Sequence, residues 1–214
     1  MNCILGIDIG SATSSVVVMD SALRILYHSY VFHSGRILSS LTTQLSGADI
    51  SKVDEVAFTS SCPEIFRTGR KFDNRVASIT AAKHYFPDLR GMLLVGAEKF
   101  GLATFDDSGH YRNYRSNTSC AAGTGSFLEQ QLGRLNLRSI SHLGELAASN
   151  KGDFPRIASR CSVFAKTDLI HAQQEGYSLA EICDGLCYGL AKNVVDAVFE
   201  EPVKGKLVLA GGVA

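Results

Sequence analysis

The sequence predicts an α/β protein built from two halves, and three observations support this fold class. Three strand-like segments open the chain and are followed by alternating helical and strand patterns, so that the first half runs βββαβα. A new β-hairpin pattern opens the second half after residues 87–91, without a low-complexity linker. The longest helical pattern comes late in the chain and leads into one more strand. We therefore expect one subdomain in residues 1–90 and a second in residues 91–214.

The elements of the first half follow from apolar periodicity and from the turn residues between the periodic segments. Asp20 and Ser21 mark one such turn. Pro87 closes the last helix of this half, because the residue before a proline disfavours the helical conformation. The predicted elements are strands at 3–9, 14–19, 24–32 and 53–60 and helices at 37–45 and 75–86.

The second half is predicted to place several helices after an apolar strand and a hairpin. Ser141 with Glu145 gives the N-cap and acidic first-turn signal of one helix. The longest helix carries Cys183 and Cys187 in an apolar stripe at i, i+3, i+4 spacing, so we interpret both as core residues. The predicted elements are strands at 91–96, 101–105, 110–116 and 206–210 and helices at 125–135, 141–149, 167–175 and 179–199.

A short Gly/Ser/Thr turn joins the first two predicted strands, with Asp8 at its lip. Backbone N–H groups and the hydroxyls of Ser11 and Thr13 would face phosphate oxygens in such a turn. Asp8 would then hold Mg²⁺ through water. A plain hairpin turn explains the same pattern.

Two cysteines stand out because a helical pattern follows each of them. Cys120 is followed by five small residues, which let the backbone approach a bulky group that is not protein, and then by the helix at 125–135. This helix would aim free N–H groups and a partial positive charge back toward Cys120, which suits a thiolate that holds an anionic group. Cys161 likewise lies a few residues before the helix at 167–175. The two cysteines could grip one cluster between them, or both could be buried core residues.

The remaining cysteines and the last strand have simpler interpretations. Cys3 and Cys62 lie in apolar contexts and are interpreted as core, like the two cysteines of the longest helix. The strand at 206–210 runs into Gly211 and Gly212, which suits close backbone approach to a flat ligand such as adenine. A strand-ending turn is the alternative for these glycines.

Composition excludes several classes of protein. An apolar content of 45% and a charged content of 20% are those of an ordinary soluble globular protein. Zero net charge argues against nucleic acid or an acidic membrane as the main partner. No apolar run reaches the ~18 residues of a membrane span, and the first residues lack the features of a signal peptide. We expect a cytoplasmic protein whose six cysteines are reduced or metal-bound, and the histidine spacings do not fit a zinc site.

The chain resembles the ATP-dependent activators of 2-hydroxyacyl-CoA dehydratases and the ATPase subunits of benzoyl-CoA reductase. Its most specific motifs are CAAGTGSFLE at residues 120–129 and SRCSVFAKTDLI at residues 159–170. DIGSATSS at residues 8–15 and LAGGVA at residues 209–214 support the resemblance, which covers residues 4–214. That family belongs to the actin, sugar-kinase and heat-shock-protein ATPase superfamily. The resemblance therefore implies an actin-like (ribonuclease H-like) ATPase fold whose second half is incomplete.

The resemblance also implies the chemistry. In those activators two subunits share one [4Fe–4S] cluster, to which each gives two cysteines, here Cys120 and Cys161 by motif match. Four thiolates satisfy such a cluster, so a homodimer is implied. ATP binding and hydrolysis, with Mg²⁺ and the catalytic Asp8, would change the angle between the helices at the cluster and drive one low-potential electron into a CoA-ester dehydratase or reductase. The implied nucleotide-binding residues are Gly10, Ser11, Ala12, Thr13, Gly123, Thr124, Gly125, Gly211 and Gly212.

The chain departs from the family pattern at three places. The second phosphate motif, normally acidic–Ile–Gly–Gly–Gln–Asp, falls on VGAEKF, so that Val95 and Phe100 replace the two aspartates. A lysine usual in the first phosphate hairpin is Ser15 here. The final GGVA normally opens a helix followed by about a fifth of the family's chain, so we expect a fragment of a longer protein with an apolar edge that is exposed or covered by a partner.

Two alternative functions remain from the sequence. The first is a degenerate ATPase module of a larger activase fusion, which keeps the fold and hydrolyses no ATP; the altered second phosphate motif favours it. The second is a small-molecule kinase on the same fold, which the paired cysteines disfavour because such kinases do not need them.

Overall fold

The computed structural model describes residues 2–117, 124–159 and 161–213. The chain divides into two compact units, Met1–Tyr85 and Phe86–Ala214. The first unit contains the strands β1 (Cys3–Ile9), β2 (Thr13–Asp20), β3 (Ile25–Phe32), β4 (Val53–Thr59) and β5 (Arg70–Phe72), the helices α1 (Ile37–Ser46) and α2 (Asn74–Tyr85), and a 3₁₀ turn (Ile50–Lys52).

The five strands of the first unit form one sheet in the order β3-β2-β1-β4-β5. β1 and β2 form an antiparallel hairpin, whereas β4 runs parallel to β1 and β5 runs parallel to β4. The carboxyl ends of β1, β4 and β5 therefore lie at one edge of the sheet. Strand β5 was missed from the sequence, because three exposed residues are too few to show a period.

The core of the first unit lies on one face of this sheet. Strict alternation of buried and half-buried residues in β1 and β2 turns every second side chain inward. Cys3 of β1 is buried in this core together with Leu41 of α1 and Cys62, which confirms the core interpretation of both cysteines. Gln44 of α1 is also buried, and it joins the helix to β2 by accepting a hydrogen bond from Ser14 Oγ at 2.7 Å.

The second unit repeats this strand order and adds four helices. Its described strands form a sheet in the order β8-β7-β6-β9, with β9 parallel to β6, which matches β3-β2-β1-β4 of the first unit. The second sheet thus has four described strands where the first has five. The elements are β6 (Leu89–Val95), β7 (Phe100–Phe105), β8 (Tyr111–Ser116), α3 (Gly125–Leu135), α4 (Ile140–Ser149), α5 (Ser162–Gln174), α6 (Leu179–Val198) and β9 (Lys206–Ala210).

Helix α6 is the centre of the helical core of this unit. It begins with a capping box in which Ser178 and Glu181 bond each other's backbone N–H groups. Its inward stripe includes the fully buried Cys183, and the half-buried Cys187 packs against the same cluster, so the predicted core role of both is confirmed. None of the five described cysteines forms a disulfide with another described residue. Among the helices that the structure describes, none has both the length and the apolar character needed to cross a membrane.

Helix α2 begins one residue earlier than the sequence predicts, at Asn74, and helices α5 and α4 also begin early. Helix α5 begins at Ser162, directly after Cys161, and not at residue 167. The prediction was wrong because its first turn exposes Val163 and Phe164, while its buried stripe is formed by two alanines and one leucine. Helix α4 begins at Ile140, and its N-cap is Ser139, whose side chain accepts a hydrogen bond from the His142 amide, so the Ser141 N-cap was also wrong.

Strand β9 forms one edge of the second sheet, next to β6. Its side chains Leu207 and Leu209 are exposed. The sequence analysis expected an apolar edge at this end of the chain that is either exposed or covered by a partner, and this stays a prediction.

Candidate functional site

A polar cluster surrounds Asp8 at the carboxyl edge of the first sheet. Asp8 Oδ1 accepts hydrogen bonds from Thr59 Oγ1 at 2.5 Å, Ser61 Oγ at 3.1 Å and Asn74 Nδ2 at 3.2 Å. Thr59 ends β4, which runs parallel to β1, and Asn74 begins α2 just after β5, which runs parallel to β4, so both lie near the end of β1. Asp8 Oδ2 accepts no hydrogen bond from any residue that the structure describes. The cluster fixes the carboxylate through one oxygen and leaves the other available.

Asn74 is itself oriented by the end of β4. Its Oδ1 accepts hydrogen bonds from Ser60 Oγ at 2.7 Å and from the Ser61 amide at 3.0 Å, which turns its Nδ2 toward Asp8. The sequence analysis missed Thr59, Ser61 and Asn74 as partners of Asp8. The signal that could have found them is the run of hydroxyl residues at the end of a strand parallel to β1.

The β1–β2 turn presents backbone N–H groups. The Gly10 amide donates to Thr13 O at 2.9 Å and closes the turn. The Gly10 and Ala12 carbonyl oxygens both accept hydrogen bonds from His33. Within the described part of the chain, the amides of Ser11 and Ala12 have no acceptor. A turn whose Gly10 and Ala12 carbonyls are occupied and whose Ser11 and Ala12 amides are open has the polarity of an anion-binding site.

The equivalent β6–β7 turn of the second unit has different chemistry. Val95 pairs with Phe100 at its base, and both side chains are buried, with 5% and 2% exposure. The Gly96 carbonyl accepts a hydrogen bond from Gly125 N–H at 3.0 Å, and the Ala97 carbonyl accepts one from Ser126 N–H at 2.8 Å. The turn therefore carries apolar side chains at the positions where the resemblance predicts aspartates, and it binds the start of α3.

This geometry corrects the expectation that α3 aims free N–H groups toward Cys120. The amides of Gly125 and Ser126 are already bonded to the β6–β7 turn, because α3 starts against that turn. An added Cβ at Gly125 would lie 3.1 Å from Val213 and 3.2 Å from Ala97, so Gly125 permits this close packing. Thr124, the N-cap of α3, is buried as well.

The described residues on either side of residues 118–123 both contact the β6–β7 turn. Cys120 and Gly123 lie outside the described residues. On the preceding side, the Asn117 side chain accepts a hydrogen bond from the Phe100 amide at 2.9 Å, and the Asn117 amide donates to Phe100 O at 3.1 Å. On the following side, α3 begins on the Gly96 carbonyl.

The turn that ends β9 requires a glycine at position 211. The φ angle of Gly211 is +109°, and an added Cβ would collide with Val95 O. Val213 N–H donates to the same oxygen at 3.3 Å. These contacts are those of a turn, and Gly212 is exposed beside them. A role of both glycines toward adenine stays a prediction.

Cys161 lies at the start of α5, and the residues that precede it are fixed by contacts with α6 and α5. It is the N-cap of the helix, it is half-buried, and its carbonyl accepts a hydrogen bond from the Ala165 amide at 2.9 Å. The residues before it, 155–159, form a strap that crosses α6 where Gly185 and Gly189 leave room for its backbone. Asp168 Oδ2 accepts a hydrogen bond from the Ala158 amide at 2.7 Å and ties the strap to α5.

An apolar surface lies directly beside Cys161. Val163 and Phe164, in the first turn of α5, are 67% and 66% exposed. Arg134 of α3 holds this turn through a hydrogen bond to Ser162 O at 2.9 Å. Among the described residues, no group of three or more His, Cys, Asp or Glu side chains could hold a metal ion.

Comparison with known proteins places these features in a family. The model of the BadF/BadG/BcrA/BcrD ATPase family matches residues 5–214. The 2-hydroxyisocaproyl-CoA dehydratase activator of Clostridioides difficile is 26% identical over 219 residues, which cover 98% of this chain and 80% of that protein. A benzoyl-CoA reductase component of Thauera aromatica is 29% identical over 169 residues, which cover 78% of this chain and 58% of that component.

The fold is shared with a solved activator structure. The activator of 2-hydroxyisocaproyl-CoA dehydratase from Clostridium difficile, with bound ADPNP, superposes with a TM-score of 0.86 at 23% identity. The alignment covers 99% of this chain and 80% of that chain. The actin-like α/β fold expected from the sequence is confirmed.

Proposed function

Because the chain belongs to the BadF/BadG/BcrA/BcrD ATPase family, we propose that it is an ATP-coupled iron–sulfur activator that donates an electron to a CoA-ester dehydratase or reductase. The names of its relatives support this role. The observation that carries the proposal is the position of Cys161, which is held at a helix start by the strap and lies beside exposed Val163 and Phe164. A buried core cysteine would have no such exposed surface next to it.

The nucleotide is proposed to bind with its phosphates on the β1–β2 turn. The open amides of Ser11 and Ala12 would donate to phosphate oxygens, and Gly10 and Thr13 frame them. Asp8 Oδ2 would accept from the water ligands of Mg²⁺, which usually keeps several waters when it binds phosphates. Three donors on Oδ1 hold the Asp8 carboxylate in position for this role.

Nucleotide contacts are also proposed for backbone groups of the second unit. Gly123 and Thr124, before α3, and Gly211 and Gly212, after β9, would border the nucleotide with their backbone. Gly125 would act through its packing, because its amide is bonded to Gly96 O.

The cluster is proposed to be held by Cys120 and Cys161 from each of two copies of the chain. Bound there, a [4Fe–4S] cluster supplies a one-electron store. Two cysteines of one chain satisfy half of the thiolates that such a cluster needs, so a second copy completes the site. The exposed side chains of Val163 and Phe164 suit burial against that copy. Cys183 and Cys187 do not fit as ligands, because burial raises the pKa of both thiols and disfavours the thiolate.

The cluster assignment is tested by iron content after purification without oxygen. The wild-type dimer should carry about four iron atoms. Cys161→Ala should abolish iron binding, whereas Cys187→Ala, a matched change at a half-buried cysteine of α6, should retain it. Retention of all iron in Cys161→Ala would refute the assignment.

Nucleotide hydrolysis is proposed to be slow. Phosphoryl transfer depends on charge and positioning around the metal and phosphates, and the buried Val95 and Phe100 side chains cannot supply either. Loss of such groups commonly costs ~10²–10³-fold in rate. This observation favours the alternative of a module that binds nucleotide without turning it over.

Steady-state ATP hydrolysis distinguishes a hydrolysing activator from a module that binds nucleotide without hydrolysing it. The rate is compared with that of a relative with an intact second phosphate motif. We expect the hydrolysis rate of this chain to be lower than that of the relative by a factor of at least about 10². Equal rates would show that other residues have replaced the lost aspartates, and the non-hydrolysing alternative would then be dropped.

A further inference from the structure

We propose that His33 is the positioning residue that sets the polarity of the β1–β2 turn for a nucleotide's phosphate groups. This inference rests on the proposed nucleotide site at Asp8. His33 follows β3 and is buried, with 4% exposure, although its position after an edge strand gave no sign of a role in the sequence.

The hydrogen bonds of His33 assign its tautomer. Ring Nδ1 accepts a hydrogen bond from the Gly35 amide at 3.1 Å, so the proton of the neutral ring lies on Nε2. Nε2 then donates to Gly10 O at 3.1 Å. The backbone amide of His33 donates to Ala12 O, also at 3.1 Å. One residue therefore holds the carbonyl groups on both sides of Ser11.

Fixing the Gly10 carbonyl fixes the amide that would meet a phosphate. Gly10 C=O and Ser11 N–H belong to one planar trans peptide, in which the two groups point in opposite directions. When His33 draws Gly10 O to one side of the turn, Ser11 N–H must point to the other. Without this bond the peptide could rotate and present an oxygen, which repels phosphate. His33 thus selects the anion-binding orientation without touching the ligand.

The backbone after His33 is shaped to keep the ring in place. Ser34 and Gly35 both have positive φ angles, +47° and +77°, which turn the Gly35 amide back onto the ring. A non-glycine residue in this region is uncommon and persists where the surroundings require it. The His33 carbonyl also accepts a hydrogen bond from the Arg36 amide at 2.7 Å, which leads the chain into α1.

Two conservative variants separate positioning from packing. Gln places an amide N–H near the position of Nε2, whereas Asn places an acceptor near Nδ1 and has no donor that reaches Gly10 O. By isothermal titration with MgADP, His33→Asn should weaken binding by about tenfold or more, and His33→Gln should stay within about threefold of wild type. Affinity for adenosine, which has no phosphate, should be the same in all three proteins.

Each of the other outcomes contradicts either the role of His33 or the nucleotide site itself. Equal MgADP affinity of wild type and His33→Asn would refute the role of His33 and leave the nucleotide site intact, and so would an equal loss in both variants. Absence of MgADP binding by wild type would refute the nucleotide site and this inference with it. The ¹⁵N spectrum of the His33 ring in wild type needs no variant: it should show the proton on Nε2, and a proton on Nδ1 alone would contradict the proposal.

Discussion

Cys183 shows how burial controls thiol chemistry in this protein. Its side chain is fully buried in the core around α6, and burial, with Cys187 beside it, raises the pKa of Cys183 to about 11. Burial and the nearby Asp184 carboxylate also raise the pKa of Cys187. Cys161 differs in its surroundings, since it lies at a helix start beside exposed side chains.

Alkylation of the folded, metal-free protein should follow this difference. At pH 8 only about 10⁻³ of a thiol with the pKa of Cys183, about 11, is ionised, so iodoacetamide should label Cys161 and spare Cys183. Mass spectrometry of tryptic peptides gives the labelled fraction of each. Equal labelling of the two in the folded protein would contradict the buried position of Cys183.

The same pKa shift predicts the direction of a pH effect on stability. The folded-state pKa of Cys183 lies above the ordinary value of 9.0, so its contribution to the free energy of unfolding is complete below pH 9 and is lost as the pH rises toward about 11. Cys183→Ala should therefore show a shallower decline of stability between these pH values in urea titrations.

Which single residues could be foreseen depended on how far away their partners lie. The core cysteines were predictable because each falls in an apolar pattern of its own segment. Thr59 and Asn74 were not, since they are 51 and 66 residues from Asp8 in the chain and reach it only through the parallel pairing of β1, β4 and β5. A functional role can be assigned to a hydroxyl at the end of a strand only when the neighbouring strand is known.

Between elements, the contact of the strap with α6 depends on two glycines one helical turn apart. An added Cβ at Gly185 would collide with Pro155 O, and one at Gly189 would lie 2.9 Å from Ile157 O. The strap can therefore lie directly on the helix backbone. Because Cys161 follows the strap, these glycines help to place the proposed cluster ligand.

Glycine-to-alanine changes at two helical positions should have opposite effects. Gly185→Ala should lower the free energy of unfolding by about 1–3 kcal/mol, because overpacking displaces the strap. Gly144→Ala, inside α4 with no atom within 4 Å of the added Cβ, should raise it by about 0.5–1 kcal/mol through helix propensity. Urea denaturation measures both, and a similar gain in both variants would contradict the close contact of the strap.

Helices and strands with a clear apolar period were predicted almost residue by residue. Helix α3 and strands β1 and β9 have the bounds that the sequence indicated. The start of α5 was not predictable from periodicity, because its exposed Val163 and Phe164 break the pattern of a helix with one apolar face. Such a break is itself informative, since it marks the surface proposed to meet a second copy.

Across the whole molecule, the two units share a strand order and differ in the chemistry of one turn. The order β3-β2-β1-β4 recurs as β8-β7-β6-β9. In the first unit the turn after Asp8 keeps open amides, whereas in the second unit the turn after Val95 uses its carbonyls to hold α3. The sequence indicated the two halves through its repeated strand openings. It could not indicate the use of the second turn, because that depends on which backbone groups face each other.

The parallel pairing of β6 with β9 also determines when the second sheet can be completed. Leu89 pairs with Lys206, and four helices lie between the two strands in the sequence. Hairpins with local contacts form early, whereas strands far apart in sequence pair late and leave an edge open in the meantime. Met92 and Leu93 of β6 are apolar, so chains caught at this stage would associate through that edge.

Refolding from urea should therefore divide into two phases. In pulsed hydrogen exchange, the amides that pair β7 with β8 should become protected before those that pair β6 with β9. The recovered yield should fall when refolding is carried out at a higher protein concentration, because chains associate in the interval between the two phases. Simultaneous protection of both sets would show that β9 docks with the hairpins. The late pairing of the parallel strand β9 thus defines a time window in which the newly synthesised chain is most prone to aggregation. A chaperone would bind the chain during this window.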